Sequence, residues 1–252
     1  MLRTVRDLEV GGRCALVRAD FNVPLQDGKV KNDRRIRAAL PTITYLIEHG
    51  AKVVLASHLG RPKGRVVEEL RLGPVAARLS ELLDKPVSKL DDSVGPQVEG
   101  AVAQMVPGDV VLLENLRFHP GEEENDPEFA QALARSAELF VNDAFGTAHR
   151  RHASNCGVAN LLPSAAGFLM EREIEVLSKV RDEPEHPFLA IIGGKKAEDK
   201  IGVLFDLLGK VDIFLIGGGV AFTFLAVKGF NIGDSIVAEA MEILDLVEPD
   251  TA

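Results

Sequence analysis

Six short runs of aliphatic and β-branched residues alternate with stretches of helical period, and no other feature limits the fold of this chain so severely. The runs are CALVRAD (14–20), KVVLAS (52–57), DVVLLEN (109–115), LFVNDAF (139–145), FLAIIGG (188–194) and IFLIGGG (213–219). Between several of them lie RRIRAALPTITYLIEHG (34–50), LGPVAARLSELLD (72–84) and DPEFAQALARSAE (126–138). The last opens on Asp126 and Pro127, an N-cap followed by proline at the first helical position. Strands that are apolar along nearly their whole length are buried on both faces. Their alternation with amphipathic helices predicts an α/β fold, a parallel sheet flanked by helices (Rossmann-like). GFLMEREIEVLSKVRDEPEHP (167–187) predicts one further helix running into a charged, proline-containing linker. The expected division is a first domain over 1–166, a helix over 167–184 and a second α/β unit over 185–252.

Ligands of parallel α/β sheets collect outside the carboxyl ends of the strands, so the residues that follow each run are the candidates. The first run delivers Asp20 and Asn22, and the second delivers His58 and Arg61 in SHLGRP. ENLRFHPGEE supplies Glu114, Asn115 and Arg117; NDAFGTAHRRH supplies Asp143, His149, Arg150 and His152. Each has an ordinary explanation when taken singly. An arginine after a strand is commonly a solvated or salt-bridged loop residue, and a histidine there a satisfied turn residue. Asp20 and Asn22 suit the turn before Pro24, and Glu122 to Asp126 (EEEND) read as a solvated turn leading into a helix. Those explanations omit the same placement on consecutive strands. Because the chain carries a net charge of −9, Arg61, Arg117 and Arg150 form a local positive basin in an acidic protein. Their planar forks suit carboxylate and phosphate, and such a basin steers small anions.

Composition removes several classes. With no Trp, a single Tyr and no basic run, the chain lacks the charge clusters and stacking platforms of a nucleic-acid binder. Cys14 and Cys156 fit neither a CxxC nor a metal-ligand spacing and are expected to be reduced, as in a cytosolic protein. MLRTVRDLEV has no apolar signal-peptide core and no apolar span reaches membrane length. A soluble cytoplasmic protein that binds neither membrane nor nucleic acid is the expectation.

In the second unit, IIGGKKAEDKIG places two glycines and a helix start after a strand. That geometry lets backbone N–H groups approach phosphate at a helix N-terminus. It is not a Walker A loop, and IGGGVAF lacks GxGxxG. Tight turns alone also explain glycine-rich strand ends.

RADFNVP, SHLGRPKG, LLENLRFHPGEE, NDAFGTAHRRH and IIGGKKAEDKI closely resemble, in order and at similar spacing, signature segments of the phosphoglycerate kinases. The resemblance runs from the first residues to about IGGGVAFTFL. It implies an N-terminal domain for 3-phosphoglycerate or 1,3-bisphosphoglycerate, a C-terminal domain for MgADP or MgATP, and a hinge helix between them. By motif, the phosphoglycerate positions fall on Asp20, Asn22, Arg35, His58, Arg61, Arg117 and Arg150. Arg35, immediately before Ile36, resembles the arginine nearest the transferring phosphoryl group, with its neighbour Arg34 less favoured; Arg151 is expected to be peripheral. The nucleotide positions fall on Gly194, Lys196, Lys200, Gly217, Gly218 and Gly219, where Lys196 resembles the lysine that accompanies the phosphoryl group. Arg35 and Lys196 are therefore the expected catalytic residues, while Lys195, Ala197 and Glu198 depart from the usual GGAKVSDK pattern.

The family's second domain continues to a late GGGD[ST] segment whose aspartate holds the nucleotide's metal. No GGGD occurs in this sequence, so the second domain is expected to be incomplete, with no metal ligand in this chain and Mg2+ arriving with ADP or ATP. The complete enzyme is expected to be a monomer. Two functions stay open. One is a glycolytic phosphoglycerate kinase that transfers a phosphoryl group reversibly between 1,3-bisphosphoglycerate and ADP, giving 3-phosphoglycerate and ATP. The other is a catalytically inactive 3-phosphoglycerate-binding module. A dinucleotide-dependent dehydrogenase is disfavoured by the missing GxGxxG and the arginine-rich crevice.

Overall fold

The layering is decided by one strand. CALVR forms β1 (Cys14–Arg18), buried at all five positions, in a computed structural model that describes residues 2–195 and 198–235. A small antiparallel hairpin follows, β2 (Leu25–Gln26) and β3 (Lys29–Val30), then α1 (Arg34–Glu48), β4 (Lys52–Ala56) and α2 (Gly73–Leu83). Next come β5 (Val87–Lys89), α3 (Pro96–Ala103), β6 (Val110–Leu112), α4 (Pro120–Glu124) and α5 (Pro127–Ala134). β7 (Leu139–Asn142), β8 (Ser164–Ala166) and α6 (Phe168–Asp182) complete this part. Six strands form one parallel sheet in the order β5-β6-β4-β1-β7-β8, with Val17 of β1 opposite Leu55 on one side and Val141 on the other.

Alternation along each strand divides its side chains between two cores. Ala15 and Val17 join Val53 and Leu55, together with Ile36 and Ile43 of α1 and Leu79 of α2. Leu16 joins Val54 and Phe140, with Val98 of α3 and Phe129 and Leu133 of α5. Full burial of such a side chain stabilises by about 1.5–3 kcal/mol, which is why the runs carry no polar alternation. Asp126 caps α5 as its sequence implies, accepting from the Phe129 N–H at 2.7 Å with Pro127 next in line.

Several elements are not anticipated from the sequence, among them the β2–β3 hairpin, α3, β5, β8 and α4. β5 and β8 are the two edges of the sheet, and VSK and SAA carry too few large apolar residues to stand out as strands. EEEND is not simply a turn: Glu122, Glu123 and Glu124 belong to α4, which ends at Asn125 in the left-handed region (φ 55).

The chain divides into two compact units, Met1–Ile174 and Glu175–Ala252, a division that falls within α6. In the second unit β9 (Leu189–Gly194) pairs in parallel with β10 (Ile213–Gly217), accompanied by α7 (Glu198–Leu207) and α8 (Gly218–Val227). Ile201 and Val220 are its buried centre, with Ile216, Phe224 and Val227 packed on them. Leu189, Ile191, Ile213 and Leu215 alternate with the inward residues of β9 and β10 and are exposed. None of the described helices is long and apolar enough to cross a membrane. Cys14 and Cys156 are free, and burial pushes the Cys14 thiol up to about 11.

The junction between β8 and α6 is tight. A Cβ on Gly167 would overlap the Asp143 carboxylate, which accepts hydrogen bonds from the N–H groups of Leu169 (2.9 Å) and Met170 (3.3 Å). Gly167→Ala is expected to lower stability by about 1–3 kcal/mol. Urea unfolding would register this as a lower midpoint at constant m-value, whereas an unchanged midpoint would contradict it.

Candidate active site

The loops after β1, β4 and β6 are stitched together by their own backbone groups. The Phe21 N–H donates to Ser57 Oγ (2.8 Å), and the Gly60 N–H donates to Asn22 Oδ1 (2.9 Å). Asn115 Oδ1 accepts from the N–H groups of Leu59 and Arg117 (3.2 Å each), while its Nδ2 donates to the carbonyls of Leu59 (2.8 Å) and Leu70 (2.9 Å). Arg117 Nη1 donates to the Gly60 carbonyl at 2.8 Å. Asn22, His58 and Arg117 are thereby held on one braced set of loops at the carboxyl end of the sheet. Asp20 joins them, accepting from the Asn22 N–H (3.1 Å) and from Nη1 of Arg35 (2.5 Å), which stands in the first turn of α1.

Charge accumulates around His58, a residue only 3% exposed. Burial first, and then the charges of Arg18, Arg117, Arg150 and Arg35, hold its pKa at about 2 against an ordinary 6.5. Those four arginines come from β1, from the loop after β6, from the segment after β7 and from α1. Arg117 is itself buried, which lowers its affinity for a proton; Glu123, 3.1 Å from Nε, offsets this in part, and the charges of Arg150 and Arg61 add to it. Its Nη2 has no hydrogen-bond partner. A buried donor left without an acceptor is destabilising by about 1–3 kcal/mol, more when charged, and an anionic oxygen is the natural complement. Arg61 is exposed, and Arg150 is half-buried with Nε 3.4 Å from Nε2 of His149.

Other residues named from strand ends are used internally. Glu114 is buried and ion-paired with Lys89 (2.5 Å) and Arg71 (3.1 Å), and it accepts from the Leu72 N–H. Asn115 serves the loops just described, and Asp143 serves the first turn of α6. Burial raises the Asp143 pKa despite its bonds to Thr42 and to the helix N–H groups.

Two residues escaped sequence reasoning. Arg18, the last residue of β1, is fully buried, and so is Glu122, which is no part of a solvated turn. Glu122 accepts from the Ser154 hydroxyl (2.7 Å) and the Ser154 N–H (3.0 Å). Arg18 Nη2 and His152 Nδ1 stand 4.0 Å and 3.5 Å from its Oε1. Burial opposes ionisation of Glu122, but His152, the charge of Arg18 and both Ser154 bonds outweigh it and hold the carboxyl below its ordinary range. Ser154 lies in a single π-helical turn, Ala153–Gly157, a rare element that is frequent at functional sites.

In the second unit, Gly194 and Gly218 pair across the ends of β9 and β10. Gly218 has φ +63, and a Cβ there would lie 2.9 Å from the Gly194 carbonyl oxygen. A Cβ on Gly219 would overlap the carbonyl of Lys195. Backbone packing thus requires glycine at both positions and starts α8 directly at the strand end. Gly217 precedes that helix as its N-cap, and Lys200 is half-buried in the first turn of α7. Lys196 lies outside the described residues. Among the described residues no group of three or more His, Cys, Asp or Glu side chains could hold a metal ion. An open pocket of about 790 Å3 beside the β2–β3 hairpin, lined by Lys31, Asp33, Arg37 and Arg78 among others, includes none of the expected site residues.

The depressed His58 pKa has a thermodynamic consequence. The unfolded chain binds a proton at His58 below pH 6.5, while the folded chain does not until about pH 2. Its contribution to stability is therefore complete above pH 6.5 and is lost as pH falls through that window. Between pH 7.5 and 5, the stability of the unmodified chain is expected to fall by about 2 kcal/mol more than that of His58→Gln. Parallel urea titrations of both proteins measure the difference, and equal slopes would refute it.

A family model described as phosphoglycerate kinase matches residues 5–249. The chain is 58% identical over 248 residues to a phosphoglycerate kinase of Moorella thermoacetica, covering 96% of this chain and 63% of that relative. Against one of Dictyoglomus turgidum it is 57% identical over 249 residues, covering 97% and 63%. The solved phosphoglycerate kinase of Coxiella burnetii superposes with a TM-score of 0.85 at 40% identity, over 99% of this chain and 62% of that one. For the Pyrococcus horikoshii enzyme the values are 0.79 and 38%, over 92% and 59%. The chain spans 63% of the length of the curated relatives it matches. Its braced, arginine-lined crevice and a match running nearly end to end agree, and the chain belongs to the phosphoglycerate kinase family.

Proposed function

We propose that this chain acts in the phosphoglycerate kinase reaction, the reversible phosphoryl transfer between 1,3-bisphosphoglycerate and ADP that gives 3-phosphoglycerate and ATP. The observation that carries the assignment is the convergence of Arg18, Arg35, Arg117 and Arg150 on His58, beside a buried guanidinium nitrogen of Arg117 that has no partner. 3-Phosphoglycerate carries a carboxylate at one end and a phosphate at the other, and both are the oxyanions that guanidinium forks recognise. Asn22, His58, Arg61, Arg117 and Arg150 hold the acid substrate in this assignment. Arg35 is half exposed and ion-paired with Asp20, so an incoming anion can draw it away at little cost.

Phosphoryl transfer of this kind needs no covalent enzyme intermediate; it needs in-line placement and cations around the equatorial oxygens. Arg35 and Lys196 are assigned to the transferring group. Gly194, Lys200 and Gly217 to Gly219 are assigned to the nucleotide, on the ground that α8 begins at the end of a parallel strand, where helix N-termini favour phosphate. The domain organisation that goes with this is a phosphoglycerate domain over 1–166, a hinge helix over 167–184 and a nucleotide domain over 185–252. Mg2+ enters as part of the ADP or ATP complex, and no acid cluster among the described residues fits it.

Turnover of the chain with MgATP and 3-phosphoglycerate tests the assignment, with Lys196→Ala as control. Arg35→Ala is expected to lower kcat about 10²–10³-fold, as for the loss of one donor to a transition-state charge, and to weaken 3-phosphoglycerate binding far less. Equal losses in kcat and affinity would remove Arg35 from that role. A folded sample that binds the acid without turnover would refute the kinase assignment for this chain.

A further inference from the structure

We propose that Arg18 is a positioning residue of the anion crevice that fixes His58 as the neutral tautomer with its proton on Nε2, and that Ser154 and Glu122 hold Arg18 to that task. The inference rests on the proposed function for what the crevice binds, and on hydrogen-bond chemistry for the rest.

A guanidinium can only donate. Nη2 of Arg18 lies 3.2 Å from Nδ1 of His58, both side chains being buried, so Nδ1 must present its lone pair and the ring proton must be on Nε2. An imidazolium would set N–H against N–H at that contact and place another cation among Arg18, Arg35, Arg117 and Arg150. The low pKa of His58 is the thermodynamic counterpart of this geometry.

The fork has no freedom to turn. Its Nη1 donates to the Ala19 carbonyl (2.5 Å) and its Nε to Ser154 Oγ (2.8 Å). Having accepted from Arg18, the Ser154 hydroxyl donates to Glu122 Oε1 at 2.7 Å, and the Ser154 N–H donates to Oε2 at 3.0 Å. The direction of every bond is set, running from guanidinium to hydroxyl to carboxylate on one side and from guanidinium to imidazole on the other. Glu122 is the carboxylate of this network, and it stands 4.0 Å from Nη2. The free nitrogen of His58 is therefore a neutral N–H donor, able to hold an anionic oxygen without taking up a proton.

Imidazole nitrogen resonances of the full chain, labelled with 15N-histidine, read this directly. His58 is expected to show a non-protonated Nδ1 and a protonated Nε2, unchanged from pH 8 to pH 5. Arg18→Met is expected to abolish the fixed pattern, giving tautomer averaging or titration in that range. The milder Ser154→Ala should shift the Nδ1 resonance, and Ser154→Thr, which restores the hydroxyl, should return it. Added 3-phosphoglycerate should move Nε2 and leave Nδ1 in place. A proton on Nδ1, titration of His58 between pH 8 and 5 in the unmodified chain, or an unchanged spectrum in both folded Arg18→Met and Ser154→Ala overturns the proposal. Failed turnover with these resonances intact counts against the kinase assignment alone.

Discussion

Arg18 ends the central strand with no exposure to solvent, and much of the first unit is arranged around that charge. Moving an ion of this size out of water is unfavourable by several kcal/mol even after relaxation, and only good geometry with further hydrogen bonds makes up the loss. Here the compensation is spread over distant segments: Glu122 from α4, Ser154 from the π-helical turn and the Ala19 carbonyl from the strand's own continuation. Removing Glu122 would leave a buried cation poorly matched, and removing Arg18 would strand a buried carboxylate. The strand, the loop after β6 and the segment after β7 are thus bound by one electrostatic requirement, and those same segments carry the crevice.

The ion pairs of the site fall into two kinds. Arg18 and Glu122 have fully buried side chains and are not available for exchange with a ligand. Asp20 with Arg35, and Glu123 with Arg117, each include a partner that solvent reaches, Arg35 at 52% and Glu123 at 43%. The more exposed of the two, Asp20 with Arg35, contributes little to stability. Together they give Arg35 at the rim and the buried Arg117 a carboxylate partner each. An acidic chain can hence keep a cationic crevice without leaving its guanidinium groups wholly unmatched.

The alternation of apolar runs and helical segments was legible because burial on both faces of the central sheet confines polar residues to the ends of its long strands, Arg18, Lys52 and Asn142. The cap at Asp126 was legible because its signal is local. β5 and β8 were not, since an edge strand of three residues is held by ladder bonds rather than by its own apolar side chains. Arg35, in the first turn of α1, was placed only by the family motif, whereas Arg61, Arg117 and Arg150 could be listed because each follows a strand. Arg18 and Glu122 could not, because the partner of each lies about a hundred positions away and only the folded loops bring them together. The acidic run around Glu122 looks like solvated surface for the same reason: its three glutamates are identical in sequence, yet one is buried, one faces Arg117 and one is exposed. A signal did exist in CALVR. Period-two alternation puts Arg18 on the face of Cys14 and Leu16, which is an interior face, and an interior arginine demands a counter-charge.

The segment after β7 shows how bracing shapes the site. It is tied at its start, where Asp143 accepts from the first N–H groups of α6, and at its end, where Ser154 is held by Glu122. Asn155 braces the middle by donating to the Thr147 carbonyl at 3.0 Å. Arg150 rides between fixed points, as His58 and Arg117 do on the loops stitched by Asn22 and Asn115. Arg35 and Arg61 have no such bracing from backbone groups and are exposed. The crevice therefore has a floor braced by backbone hydrogen bonds and a rim of solvent-exposed charge. Donors held by several bonds keep their aim without reorganising, whereas the Arg35–Asp20 pair, within reach of water, contributes little to stability.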